Sequence, residues 1–237
     1  MNIANYYNLN EQQVSFTRNQ ASSFAKGVAG DFNPIHDVDH RRFCVPGDLL
    51  FSVFLAQYGV NQEMKFEFSG MVLDTTQLIF PDQVQDVFSL QDANEKAYME
   101  IEVAGENSKD ADFISMLSEK YVQFSGKTFP DILVPLMKQE NVMINPARPL
   151  IIYKNMEICL DKLSGSHLTL ELKDAALKKN GKKGEVRLEF SILSDGEAIG
   201  HGAKNLLLSG LREYDAAQLD DVITSYAQRK SDFLAKQ

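Results

Sequence analysis

The residues in this chain best placed to do chemistry together are Asp31 and His36. They stand five positions apart in Gly30-Asp31-Phe32-Asn33-Pro34-Ile35-His36. Glycine tolerates positive φ, whereas proline fixes its own φ and drives the preceding Asn33 towards extended backbone. The segment is therefore expected to be a stiff loop that can aim a carboxylate and an imidazole at one point. Such a pair can serve as base and acid, because each group holds or releases a proton near neutral pH once its surroundings tune it. Asn33 is the candidate to orient one of the two by hydrogen bonding. The competing reading is plain: Asp31 caps a turn, Asn33-Pro34 punctuates a loop and His36 lies on the surface.

The elements that must position this loop follow from periodicity. Residues 19–28 have a helix-compatible composition and run into Gly30-Asp31. After an irregular polar stretch to about Val45, Pro46-Gly47-Asp48 opens the run Leu49-Leu50-Phe51-Ser52-Val53-Phe54-Leu55-Ala56-Gln57-Tyr58, which ends at Gly59. Its length and terminal glycine predict a helix, and its nearly all-round apolar surface predicts burial at the centre of a domain. From 63 to 126 the texture is that of strands. Lys65-Phe66-Glu67-Phe68 and Tyr98-Met99-Glu100-Ile101-Glu102-Val103 alternate with period two, and residues 112–126 are read as continuing into a strand at Tyr121-Val122-Gln123-Phe124. A short helix is expected within 130–140, with Ile132, Leu133, Leu136 and Met137 on one face, although Pro135 counts against it. Strands are expected near 150–160, 167–173, 185–193 and 198–208, and a helix over 215–235. A helix followed by four or five antiparallel strands, twice over, gives an α+β fold class.

Composition removes several functions. The formal charge is −9, whereas a duplex-binding protein needs clustered Lys and Arg. No nucleic-acid partner is expected. The basic cluster Lys178-Lys179-Asn180-Gly181-Lys182-Lys183 reads as a solvated hairpin turn. Cys44 and Cys159 lie far apart with apolar neighbours and no metal-ligand spacing. His36-Asp37-Val38-Asp39-His40 packs two imidazoles and two carboxylates into five residues, but no third ligand is spaced to join them, so no metal is assigned. No Gly-rich dinucleotide fingerprint follows a strand, and no cofactor is implied. The apolar run at 49–56 is far shorter than the roughly 20 residues of a membrane span. No secretory pattern marks the first residues. A cytoplasmic protein with no membrane partner is expected.

The string from Gly30 to His36 matches every fixed place of the G-D-x-N-P-[hydrophobic]-H loop of MaoC-like (R)-specific enoyl-CoA hydratases and dehydratases. Phe24-Ala25 precedes it much as in that family. The chain resembles an outlying bacterial branch of that superfamily over about residues 24–58. The resemblance implies a hot-dog fold, in which an antiparallel sheet wraps around a helix. The repeated order of elements then reads as a double hot-dog, with one unit in 1–128 and a degenerate unit in 129–237 that lacks its own copy of the loop.

What the resemblance implies for chemistry is specific. Asp31 would activate the water that adds at C3 of a trans-2-enoyl thioester. His36 would share that water and help deliver the proton at C2, with Asn33 in support. A backbone N–H at the start of the central helix, that of Gly47, would polarise the thioester carbonyl. Gly30, Pro34, Pro46, Arg41 and Arg42 are the expected substrate contacts, the two arginines suiting phosphate. The partner would be an acyl-CoA or acyl carrier protein thioester, and the protein a monomer or homodimer. This sequence departs from the family pattern in Ala29, in Arg42, in a shortened segment between His36 and Gly47, and in Pro46-Gly47-Asp48, which sets a carboxylate beside the developing enolate. A binding protein that holds the thioester without turning it over is the alternative.

Overall fold

A computed structural model describes residues 1–82 and 85–236. The chain opens with β1 (Asn8–Asn10) and β2 (Gln13–Ser15), then α1 (Arg18–Phe24) and α2 (Gly47–Tyr58). Strands β3 (Val60–Phe68), β4 (Gln77–Ile79), β5 (Val87–Gln91) and β6 (Ala97–Ser108) follow. Helices α3 (Ala111–Gly126) and α4 (Leu133–Gln139) lead into β7 (Val142–Met143) and β8 (Ile151–Leu160). Then come β9 (Leu168–Asn180), β10 (Lys183–Ser194), β11 (Glu197–Ser209), β12 (Arg212–Glu213) and α5 (Ala216–Leu234).

Ten of the strands form one antiparallel sheet in the order β1-β2-β4-β5-β6-β3-β8-β11-β10-β9, while β7 and β12 pair separately. One pattern occurs twice in that order. The path β4-β5-β6-β3 of the first half is repeated as β9-β10-β11-β8 in the second. The two copies join where β3 and β8 run antiparallel, Met64 opposite Ile158 and Phe66 opposite Met156. The fold is α+β, a double hot-dog.

The sheet curls around α2 because that helix has no polar face. Residues from Asp48 to Leu55 are all buried, and Phe51 and Phe54 each meet Phe66 of β3 edge-on, with centroids 5.3 and 5.0 Å apart. Each large apolar side chain so buried contributes about 1.5–3 kcal/mol. Gly59, at φ 79°, ends the helix and turns the chain into β3.

The strand expected within 112–126 is instead α3. The Asp110 side chain accepts from the N–H groups of Asp112 and Phe113, which starts a helix. Phe113, Leu117, Tyr121 and Phe124 then recur at helical spacing and are buried. The local alternation of Tyr121-Val122-Gln123-Phe124 reflects two apolar flanks of a helix buried on more than one side. In α4, Pro135 sits in the first turn, where the helix requires no N–H donor from it, so helix and proline coexist. The β9–β10 turn at Gly181 is the hairpin that the basic cluster suggested. Among the described residues no helix is long and apolar enough to cross a membrane.

Candidate active site

The loop after α1 is fixed by its own hydrogen bonds. Thr17 and Gln20 close a capping box that starts α1. The helix widens into a π turn over Ala25–Ala29 and stops at Gly30, which takes the left-handed conformation at φ 71°. The N–H of Asp31 returns to the Ala25 carbonyl at 2.8 Å. Oδ1 of Asp31 accepts the Asn33 N–H at 2.9 Å, and Oδ1 of Asn33 accepts the Ile35 N–H at 3.2 Å. Pro34 begins a single 3-10 turn that ends at His36. Asn33 thus orients Asp31 through its backbone N–H, while its side chain shapes the turn.

His36 is held from the other side. Its Nδ1 lies 2.7 Å from the Cys44 carbonyl oxygen. A carbonyl only accepts, so Nδ1 carries the proton and Nε2 is the free ring nitrogen. Nε2 stands 3.7 Å from Oδ2 of Asp31, the carboxylate oxygen that the turn leaves unused. That gap is too long for a direct hydrogen bond and suits one oxygen shared between the two. Both groups border a cavity of about 650 Å³, with Asn33, Pro34, Pro46 and Gly47 also on its wall. The first N–H groups of α2, those of Gly47 and Asp48, have no acceptor among the described residues. A Cβ on Gly47 would lie 3.0 Å from the Tyr153 ring and 3.1 Å from that of Phe68, so a side chain there would crowd both rings.

The structure brings together Asp31, Asn33, Pro34, His36, Pro46 and Gly47. Gly30 stands behind the wall, as the turn that delivers Asp31. Arg41 and Arg42 lie in an exposed turn outside the cavity lining, where the Arg42 N–H meets Nδ1 of His40. His36 and His40 do not share a helical face, since the 3-10 turn ends at His36, and Asp37 is paired with Lys26 and Arg229. Among the described residues no group of three or more His, Cys, Asp or Glu is arranged to hold a metal.

Beneath Gly47 lies a polar cluster that sequence reasoning did not assemble. Oδ2 of Asp48 accepts from Oγ of Ser125 on α3, and Ser125 in turn accepts from Nζ of Lys204 on β11. Lys204 is only 4% exposed, and its ammonium sits 4.0 Å above the Tyr153 ring and 3.9 Å from Oδ1 of Asp48. Burial pushes the Asp48 carboxyl up, against the opposing pull of Lys204 and Ser125. It pushes the Lys204 ammonium down, against Asp48 and Asp31. The Tyr121 and Tyr153 hydroxyls touch and are both driven well above their ordinary range by burial. One signal for Lys204 was present: it is in phase with Leu206 and Leu208, the inward side chains of β11. Ser125 was hidden by the misread helix.

The C-terminal helix completes the wall. Tyr226 of α5 accepts the Phe32 N–H at 3.1 Å and donates to the Gly30 carbonyl at 3.4 Å. Phe129, Leu133, Ile144, Leu206 and Val222 add apolar side chains to the cavity wall.

No curated protein matches the chain in sequence. Solved structures similar to it include the tesB protein of Mycobacterium avium subs paratuberculosis, at 7% identity and a TM-score of 0.41 over 70% of this chain and 87% of that one. Another is an acyl-CoA thioesterase II, TesB2, from Mycobacterium marinum, at 9% identity and a TM-score of 0.42 over 72% and 90%. A third is an N-terminal dehydratase from the difficidin assembly line, at 8% identity and a TM-score of 0.36 over 78% and 91%. The model of the family described as "Protein of unknown function (DUF3581)" matches residues 1–217, and the chain belongs to that family.

Proposed function

We propose that the protein is a MaoC-like hydratase or dehydratase that adds water to, or removes it from, a 2-enoyl or 3-hydroxyacyl thioester. The observation that carries this reading is the 3.7 Å gap between Asp31 Oδ2 and His36 Nε2, opening on the cavity beside the free Gly47 N–H. A water held between the two side chains gives its oxygen to C3 and one proton to Asp31. That proton passes from Asp31 to Nε2 of His36 and from there to C2, so the pair ends in the protonation state in which it began. The Gly47 N–H, at the positive end of α2, stabilises the charge that develops on the thioester oxygen.

On this reading residues 1–128 carry the catalytic loop and residues 129–237 shape the acyl pocket, to which Phe129, Leu133, Ile144 and Leu206 contribute. The thioester is carried by CoA or by an acyl carrier protein, and the protein acts in the cytoplasm as a monomer or homodimer. A second reading, thioester binding without turnover, draws on Asp48. Its carboxylate lies next to the proposed oxyanion donor and, if ionised, opposes an enolate there. Purified protein given trans-2-enoyl-CoAs of several lengths separates the two. Loss of the enoyl absorbance supports hydration; thermal stabilisation without turnover supports binding alone.

A further inference from the structure

We propose that Tyr226 is a positioning residue for Asp31, so that the C-terminal helix α5 sets the geometry of the catalytic loop; this rests on the hydratase reading above. Tyr226 lies beyond the residues matched by the family model. Its hydroxyl bonds on both sides of Asp31, accepting from the N–H of Phe32 and donating to the carbonyl of Gly30. The two peptide groups that flank the base are therefore tied to one atom. The phenol is fixed in turn, packed edge-on against Phe32 and Phe129 with centroids 5.9 and 5.2 Å away. Phe233, two turns further along α5, meets Phe32 at 5.7 Å. Arg229 pairs with Asp37 just past His36, where Lys26 also binds at 2.7 Å.

Of the side chains of α5 only Leu219 is fully buried; Val222 and Ile223 pack partly buried against the same apolar cluster, and Tyr226, Arg229 and Phe233 make the contacts given above. The aromatic contacts of α5 fall on Phe32, in the loop that presents Asp31, and on Phe129, just after α3. Burial and the nearby Asp31 charge both push the Tyr226 phenol up, which keeps it a neutral donor through the working range of pH.

Tyr226→Phe removes the hydroxyl and keeps the ring contacts. Two measurements on the full-length variant test the proposal. Amide exchange at Phe32 is expected to rise at least about tenfold, because its N–H loses its acceptor, while exchange at Asp31, whose N–H bonds Ala25, changes far less. Hydration of an enoyl-CoA is expected to lose about tenfold in kcat with KM within about twofold, the mark of a displaced base rather than a damaged pocket. Unchanged protection at Phe32, or unchanged kcat, overturns the proposal; a rise in KM alone also does, by making Tyr226 a wall residue. If the wild type turns over no enoyl thioester, the hydratase reading fails separately, and the clamp stands or falls on Phe32 exchange.

Discussion

Oδ1 of Asp31 is fixed by the Asn33 N–H at 2.9 Å, so Oδ2 alone faces His36, whose Nδ1–H is fixed by the Cys44 carbonyl at 2.7 Å. Each member of the pair has one polar atom anchored and one free, and the free atoms stand 3.7 Å apart. This division follows from local sequence. An Asx turn needs an acceptor two residues before the N–H it binds, and Asp31-Phe32-Asn33 supplies one. A site held this way needs little rearrangement when a ligand arrives.

The buried pair Asp48–Lys204 makes a stability prediction. Removing one partner leaves the other charge buried without compensation, so Asp48→Leu or Lys204→Met alone is expected to cost about 3–5 kcal/mol. The double variant Asp48→Leu/Lys204→Met is expected to lose much less, because apolar residues replace both charges. Urea unfolding of the four proteins measures the coupling directly. Additive losses would mean that Ser125, not Asp48, is what matters to Lys204.

Gly126 is where α3 touches the back of the loop that carries Asp31 and His36. A Cβ there would lie 1.9 Å from the Ala29 carbonyl oxygen, a distance no side chain tolerates. Gly126→Ala is expected to destabilise the protein by about 2–4 kcal/mol, or to push Ala29 and with it Asp31 out of place. Gly184→Ala meets only the flexible ends of Leu177 and Leu211 at 2.8 and 2.9 Å and is expected to cost less. Equal losses in the two variants would contradict the close packing of α3 on the loop.

Cys44 gives a pH dependence whose sign can be worked out. Burial raises its thiol from 9.0 to about 11. Between those values the unfolded chain loses the thiol proton and the folded protein keeps it, so the unfolded state binds fewer protons and stability falls as pH rises. The contribution is complete below pH 9 and is lost by about pH 11. Unfolding free energies at intervals from pH 8 to 11 are expected to fall about 2 kcal/mol further in the wild type than in Cys44→Ala. Parallel curves would show that the thiol is not buried as described.

Much of this was legible in the sequence, for physical reasons that differ by element. Gly30-Asp31-Phe32-Asn33-Pro34 dictates its turn through contacts within a few residues, so the loop could be read without the fold. The helix ending at Gly59 was legible because its apolar surface continues for ten residues, too long for a typical strand. The α3 helix was not. Phe113, Leu117, Tyr121 and Phe124 do recur at helical spacing, but the period-two run Tyr121-Val122-Gln123-Phe124 at its end masks them. The Asp48–Ser125–Lys204 cluster needs three elements to meet, one of them misread, and spacing along one chain carries no trace of such a meeting. Tyr226 falls within the helix expected over 215–235, but its contact with Gly30 and Phe32 spans nearly two hundred residues of sequence.

The most direct test of the central claim is turnover of trans-2-enoyl-CoAs by the wild type, Asp31→Asn and His36→Ala, each checked for folding. The wild type is expected to hydrate the enoyl thioester, and either variant to lose about 10²–10⁴-fold in rate at unchanged thermal stability. Hydration that survives both substitutions would contradict that claim, because the water would then be activated by something other than this pair.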